Sequence, residues 1–309
     1  MNCLVLGGNG FIGSHLVDCL LREGHSVRVF DKYEEHYRKP LPGIDYRYGD
    51  FGNRGLLAEA LQDIEIVFHL ISTTLPKTSN DDPAFDIQSN VVGSIFLFQQ
   101  CIARKIRKII FISSGGTVYG RPTRLPMPED GPTEPECSYG IAKLTIEKYL
   151  ALFNRLYGLD YTVVRPSNPY GSRQNPLGIQ GAIPVFLGKM ARNQTIEIWG
   201  DGEIVRDYIY IDDLVEGIYK AAMVKTASRI FNLGSGIGHS LNELVAVMQK
   251  VTGRPVNVQY ATKRSFDVPK IYLEVVRAKG QLSWSATTPI EQGIMNAWQF
   301  IKALFGESA

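Results

Sequence analysis

Tyr139 and Lys143 stand four residues apart in Tyr139-Gly140-Ile141-Ala142-Lys143. On a helix this spacing puts a phenol and an ammonium on one face, a turn apart. A free tyrosine, with a pKa of about 10, is a poor base near neutrality. A neighbouring ammonium stabilises the phenolate and lowers that pKa, which yields a proton acceptor for an alcohol. A tyrosine four residues before a lysine is common by chance, so a second motif must support it. That motif is Gly7-Gly8-Asn9-Gly10-Phe11-Ile12-Gly13, directly after the apolar run Cys3–Leu6. One glycine permits a tight turn, one lets backbone N–H groups approach a pyrophosphate, and one packs a helix on its strand. The helix N-terminus then favours the anion. An ordinary glycine-rich loop fits the same spacing, but here the loop joins a strand to a helix. Asp31 ends the second strand, where an acid bonds the adenosine ribose hydroxyls. Such a carboxylate repels the extra phosphate of NADP, so NAD is expected, with Lys32 and Arg38 nearby keeping NADP open. The two motifs together point to nicotinamide redox chemistry on an alcohol.

The elements that must position these residues alternate. Apolar runs at Cys3–Leu6, Ser26–Phe30, Tyr46–Tyr48, Ile64–Leu70, Lys108–Ser113 and Tyr161–Arg165 read as strands. Helical patterns separate most of them, at Phe11–Leu21 (closed by Gly24), Phe85–Arg104 and Tyr139–Tyr157. This rhythm predicts an α/β fold, a Rossmann-type doubly wound parallel sheet with helices on both faces. After Pro166 the rhythm loosens. A helix is expected near Ile183–Asn193, a short strand at Tyr208–Ile211, a helix over Asp212–Val224 and a seventh strand at Arg229–Leu233. The expected organisation is a cofactor domain over 1–166 and 208–236, with a smaller substrate-binding C-terminal lobe over 167–207 and 237–309.

The chain has 309 residues, enough for one elaborated α/β unit or two modest domains. A net charge of +2 without long basic runs argues against a nucleic-acid surface. Cys3, Cys19, Cys101 and Cys137 lack paired spacing and read as small buried residues in a reducing compartment. The five histidines form no metal-ligand pattern with them. No apolar run is long enough to span a bilayer, and a strand starting at residue 2 leaves no room for a signal peptide. A cytoplasmic enzyme is expected.

Along nearly its whole length the chain resembles the extended short-chain dehydrogenase/reductases acting on nucleotide sugars, in pattern the UDP-glucose 4-epimerase group. The resemblance is carried by Gly7–Gly13, Asp31, Gly49-Asp50-Phe51, His69-Leu70-Ile71-Ser72, Asn90, Ser113–Gly120, Tyr139–Lys143, Arg165-Pro166-Ser167-Asn168, Gly200-Asp201-Gly202, Arg206-Asp207-Tyr208, Asn232–Gly236 and Arg264 with Asp267. It implies that Gly7, Gly10, Phe11, Ile12, Gly13, Asp31, Lys32, Ser113, Pro166, Tyr139 and Lys143 contact NAD, with Asp50 and Phe51 by the adenine. Leu70, Ile71 and Ser72 would line the cofactor, and Asn90 would stabilise the active-site helix. Asn168 and Arg206 would hold the diphosphate-sugar, Arg264 would pair with a phosphate oxygen, and Trp199 would face the uracil or simply belong to the core. Ile271 would limit bulk at sugar C2. A homodimer would form through the helices Phe85–Arg104 and Tyr139–Tyr157, whose apolar residues Val91, Val92, Ile95, Phe98 and Ile102 could equally pack on the sheet.

The chain also departs from the family pattern. The epimerases usually carry Ser or Thr where this chain has Gly115, and that hydroxyl bonds the reacting sugar oxygen. Thr117 is the nearest replacement donor, with Ser114 second. Gly116-Thr117 stands where the related dehydratases place Asp-Glu, and no decarboxylase glutamate is present. The reaction implied is therefore C4 epimerisation of a UDP-sugar. UDP-glucose/UDP-galactose comes first; N-acetyl or uronic acid forms stay open, the latter through Arg173 or Lys263. The alternatives are a related reductase or dehydratase, or a non-catalytic NAD-binding sensor.

Overall fold

The chain opens with strand β1 (Asn2–Leu6), helix α1 (Phe11–Arg22), β2 (Ser26–Asp31), β3 (Asp45–Tyr48), α2 (Arg54–Ala60) and β4 (Ile66–His69). This computed structural model describes residues 1–262 and 268–306. Next come α3 (Pro83–Asp86), a π-helical stretch (Ile87–Val92) and α4 (Gly93–Ala103), where the sequence predicts one helix. Strand β5 (Lys108–Ile112), α5 (Ser138–Tyr157) and β6 (Tyr161–Pro166) follow. Then come β7 (Asn168–Tyr170), α6 (Ala182–Ala191), β8 (Ile196–Trp199) and β9 (Val205–Tyr210). Helix α7 (Ile211–Met223), β10 (Ile230–Leu233), β11 (Gly238–Ser240) and α8 (Leu241–Thr252) precede β12 (Val258–Ala261), β13 (Lys270–Ile271), α9 (Val276–Leu282) and α10 (Ile290–Leu304).

Seven strands form one sheet in the order β10-β6-β5-β4-β1-β2-β3, and every pairing in it is parallel. The expected seventh strand lies at its edge, against β6. The order in which strands are added reverses between β1 and β4, so the crevice at their carboxyl ends is the place for a ligand. Alternation explains the two-sided core. Cys3 and Val5 of β1 pack with α1 and α7 on one face, while Leu4 and Leu6 join Leu97, Phe98, Ile146 and Leu150 on the other. Cys3, Cys19 and Cys101 are buried, Cys137 is half-buried, and all four are free thiols.

Two expectations need correction here. The stretch expected at Tyr208–Ile211 is β9, which begins at Val205 and joins a smaller sheet with β7, β11 and β13. Of the apolar face proposed for dimer contact, Val91 and Phe98 belong to the core, and Ile95 and Ile102 pack against it. The exposed apolar residues of these helices are Phe85, Ile87, Ile141, Leu156 and Tyr157. Among the described residues no helix is long and apolar enough to cross a membrane, and no cluster could hold a metal.

Candidate active site

The turn after β1 is shaped for a close approach. Gly7 has φ of +84°, and a Cβ on Gly13 would lie 2.0 Å from the Gly7 carbonyl oxygen. Gly10 precedes helix α1 and offers no side-chain cap, so the first N–H groups of the helix are offered to an anion. A cavity of about 620 Å³ opens there, lined by Gly7, Gly10, Asp31, Lys32, Asp50, Phe51, Leu70, Ile71 and Ser72, all expected from the sequence. Tyr33, Phe85, Gln88, Ser89 and Phe96 also line it and were missed. They carry no motif and reach the cavity only through the fold. The uncapped helix, the glycine cradle and a carboxylate in the same cavity fit a dinucleotide.

Asp31 accepts the Asn9 N–H at 3.0 Å and the Tyr33 N–H at 3.2 Å. Burial raises its pKa and these bonds work against the rise. The two cations that kept NADP open are already engaged. Lys32 pairs with Asp50 at 3.1 Å. Arg38 bonds Asp18, Glu35 and the Ser14 carbonyl.

Several expected cofactor residues sit outside that lining. Phe11 and Ile12 pack partly against the core, and Gly13 is the close-packing glycine. The Ser113 hydroxyl donates to the buried carboxylate of Glu147, which also takes both prongs of Arg165 at 2.6 and 3.0 Å. The Ser113 hydroxyl proton is thereby engaged inside the protein. The Pro166 carbonyl accepts the Gly115 N–H at 2.8 Å.

Lys143 and Tyr139 share a face of α5 as expected. Lys143 Nζ lies 5.5 Å from the Tyr139 ring centre and 4.9 Å from that of Phe111, and it donates to the Ile112 carbonyl at 2.9 Å. Burial lowers the Lys143 pKa to about 8, with Asp86 and Glu147 pulling it back up. The phenol does not follow the sequence argument. Burial raises the Tyr139 pKa above its usual value, and Cys137 and Asp86 add to the rise. The cause is geometric: the ammonium is held by Ile112, beside the ring, while the phenolate would lose water.

Three further residues, given no role by the sequence, hold α5. Cys137 at its N-cap makes no capping bond. Instead Asn80 Oδ1 accepts the Ser138 N–H at 2.9 Å and Ser79 Oγ accepts the Tyr139 N–H at 3.0 Å. Asp86, 0% exposed, accepts Thr74 Oγ1 at 2.7 Å, Asn90 Nδ2 at 2.8 Å and Ser138 Oγ at 2.6 Å. Asn90 in turn receives the Thr73 N–H at 3.0 Å. Only the four-residue spacing of Asp86 and Asn90 is visible locally; the other partners lie far away in sequence.

The loop after β5 packs on the first turn of α5. A Cβ on Gly140 would lie 2.9 Å from the Thr117 carbonyl oxygen. Thr117 Oγ1 is buried without a protein partner, and Ser114 is half-buried with its carbonyl accepting the Val118 N–H. Leu273 explains Gly115: a Cβ there would lie 2.6 Å from Leu273 Cδ1.

A second cavity, about 310 Å³, brings together Asn168, Trp199 and Arg206 with Tyr208, Phe186 and Glu197. Trp199 is 40% exposed, not core, and its indole N–H donates to Glu197 at 2.7 Å. Asn168 Nδ2 donates to the Asp207 carbonyl at 2.9 Å. Ile271 is 2% exposed, packed with Val118, Tyr119, Met127 and Leu273, and lines neither cavity, because pairing with Arg206 on β9 draws it into the sheet. Arg264, with Lys263 and Asp267, lies outside the described residues. Arg173, one of the cations considered for a uronate, is held by Asp18 at 2.7 Å and His15 at 3.0 Å.

Comparison with known proteins places this geometry. Residues 3–234 match the model of the NAD dependent epimerase/dehydratase family. The chain is 35% identical to a putative UDP-glucose 4-epimerase of Methanocaldococcus jannaschii, over 97% of this chain and 98% of that protein. It is similar to the UDP-glucose 4-epimerase of Thermotoga maritima crystallised with UDP-glucose, with a TM-score of 0.94, 35% identity and coverage of 99% and 100% of the two chains. The Thermus thermophilus UDP-glucose 4-epimerase in complex with NAD gives a TM-score of 0.91, 29% identity and coverage of 98% and 99%. The chain therefore belongs to the NAD dependent epimerase/dehydratase family, as an extended short-chain dehydrogenase/reductase of the UDP-glucose 4-epimerase-like kind.

Proposed function

We propose that this protein inverts C4 of a UDP-sugar through a transient 4-keto sugar, with UDP-glucose and UDP-galactose as its substrates. The observation that carries the proposal is the Tyr139–Lys143 pair on α5, with Lys143 Nζ anchored to Ile112 at the carboxyl edge of the sheet. Bound NAD supplies reversible uptake of the C4 hydride. Gly7, Gly10 and the start of α1 hold its pyrophosphate, Asp31 the adenosine ribose, and Asp50 and Phe51 flank the adenine. The engagement of Lys32 and Arg38 favours NAD over NADP.

Tyr139 takes the proton of the 4-hydroxyl and returns it after the keto sugar has turned. A phenol raised by burial needs positive charge brought close to it, and the Lys143 ammonium is the nearest resident source. The unpartnered Thr117 hydroxyl takes the part of the missing hydroxyl at Gly115, bonding the reacting sugar oxygen. Asn168, Arg206 and Trp199 hold the uridine diphosphate in the second cavity. A neutral hexose is preferred to a uronate because Arg173 is tied to Asp18 and His15.

The proposal extends to organisation. The cofactor domain comprises 1–166 with 208–236 and the substrate lobe 167–207 with 237–309, and β9 bridges them. Two copies associate through the helices spanning Phe85–Arg104 and Tyr139–Tyr157, which leave Ile87 and Ile141 exposed. The test is Tyr139→Phe. It is expected to abolish C4 inversion and keep bound NAD; unchanged turnover refutes the assignment.

A further inference from the structure

We infer that Asp86 is a positioning residue for this reaction: its buried carboxylate clamps the π-helical stretch to the first turn of α5 and supplies the negative charge facing Lys143 and Tyr139. The inference rests on the C4-epimerase reading. One carboxylate with no exposure collects donors from three separate segments: Thr74 after β4, Asn90 in the π-helical stretch and Ser138 at the start of α5. A fully buried carboxylate is costly unless it is bonded and balanced by charge. Its three donors are all neutral, so the balancing cation must come from elsewhere, and Lys143 is the buried ammonium that feels it.

A π-helical stretch is rarely stable by itself and often marks a functional site. Here it carries Asn90 inward, where Asn90 bonds both Asp86 and the Thr73 N–H beside the cofactor cavity. Asp86 thus joins the cavity wall to the helix that carries the reacting phenol. The other groups facing this pocket are Glu147, which also draws the Lys143 pKa upward, His69, held neutral by burial at about 3, and the half-buried Cys137 thiol. Asp86 raises both the Lys143 and the Tyr139 pKa. Removing its charge therefore moves both titrations in the same direction.

The test is Asp86→Asn in the NAD-bound protein. An amide of the same shape keeps an oxygen for Thr74 and Asn90, and its Nδ2 can donate to Ser138 Oγ where the carboxylate accepted, while the charge is lost. The expected result is a bell-shaped kcat–pH profile displaced to lower pH as a whole, by about one unit, with KM and retained NAD unchanged. A lower profile at the same pH, or an unchanged one, overturns the inference, since a purely structural role reduces height without moving the limbs. If Asp86→Asn does not fold, Ser138→Ala cuts the clamp and keeps the charge. Its kcat is expected to fall several-fold with the pH limbs in place, and wild-type kcat overturns the clamp. A second readout needs no turnover. The phenolate absorbance of Tyr139, taken as the difference from the matching Tyr139→Phe protein, should appear at lower pH in Asp86→Asn. If the wild-type protein turns over no UDP-sugar, the reaction assignment fails, while this titration still decides the role of Asp86.

Discussion

Restoring the family's hydroxyl at position 115 is predicted to harm this protein. A Cβ on Gly115 would lie 2.6 Å from Leu273 Cδ1 and 3.0 Å from the Pro166 carbonyl oxygen. The Pro166 oxygen cannot retreat, because it accepts the Gly115 N–H at 2.8 Å. Leu273 has little room either: it is 1% exposed, packed with Val118, Tyr119, Met127 and Ile271, and its own N–H bonds Asp207. Overpacking of this kind costs about 1–3 kcal/mol, so Gly115→Ser should unfold at lower urea by that amount. Leu273→Ala removes the obstruction but leaves a void, at about 2–5 kcal/mol. In Gly115→Ser/Leu273→Ala the serine fills part of that void. The combined loss should fall short of the sum by at least about 1 kcal/mol. Tryptophan fluorescence during urea unfolding of all four proteins measures the coupling. The account of Gly115 is refuted if Gly115→Ser is as stable as the parent, or if the two penalties simply add.

Two further outcomes concern charge and cofactor choice. The Lys143 pKa is held at about 8, against 10.5 for a free lysine. The native state sheds this proton first, so wild-type stability should rise relative to Lys143→Met between about pH 8 and pH 10. Over the same range turnover should fall as the ammonium is lost, and urea midpoints and rates at pH 7.5 and 9.5 check both signs. Asp31→Ala should weaken NAD about ten- to hundred-fold, the loss of bonds to a charged group, and narrow the preference over NADP. Calorimetric Kd values decide this, and an unchanged NAD affinity removes Asp31 from the site.

Much of the fold can be read from residues because the relevant forces are local. Strands buried on both faces appear as continuous apolar runs, and β1, β4, β5 and β6 stand where those runs predict. The glycine turn is legible because its sterics involve only nearby backbone. What could not be read depends on distance along the chain. Nothing near Ser79, Asn80 or Asp86 announces partners at Ser138 and Tyr139. The π-helical stretch has no periodicity of its own, so Phe85–Arg104 reads as one helix. Counting from a motif also gives no sign that Ile271 is buried, because β-pairing with Arg206 decides where it sits. The phenol pKa went the other way for a related reason. Spacing places a lysine near a tyrosine, but desolvation and the Ile112 carbonyl decide what the lysine does there.

The most direct measurement uses purified protein, UDP-glucose or UDP-galactose and no added cofactor, with C4 stereochemistry followed by NMR. Wild-type protein should interconvert the two sugars, while Tyr139→Phe carrying the same bound NAD should leave each unchanged. Equal interconversion by Tyr139→Phe, or none by a wild-type protein loaded with NAD, contradicts the account.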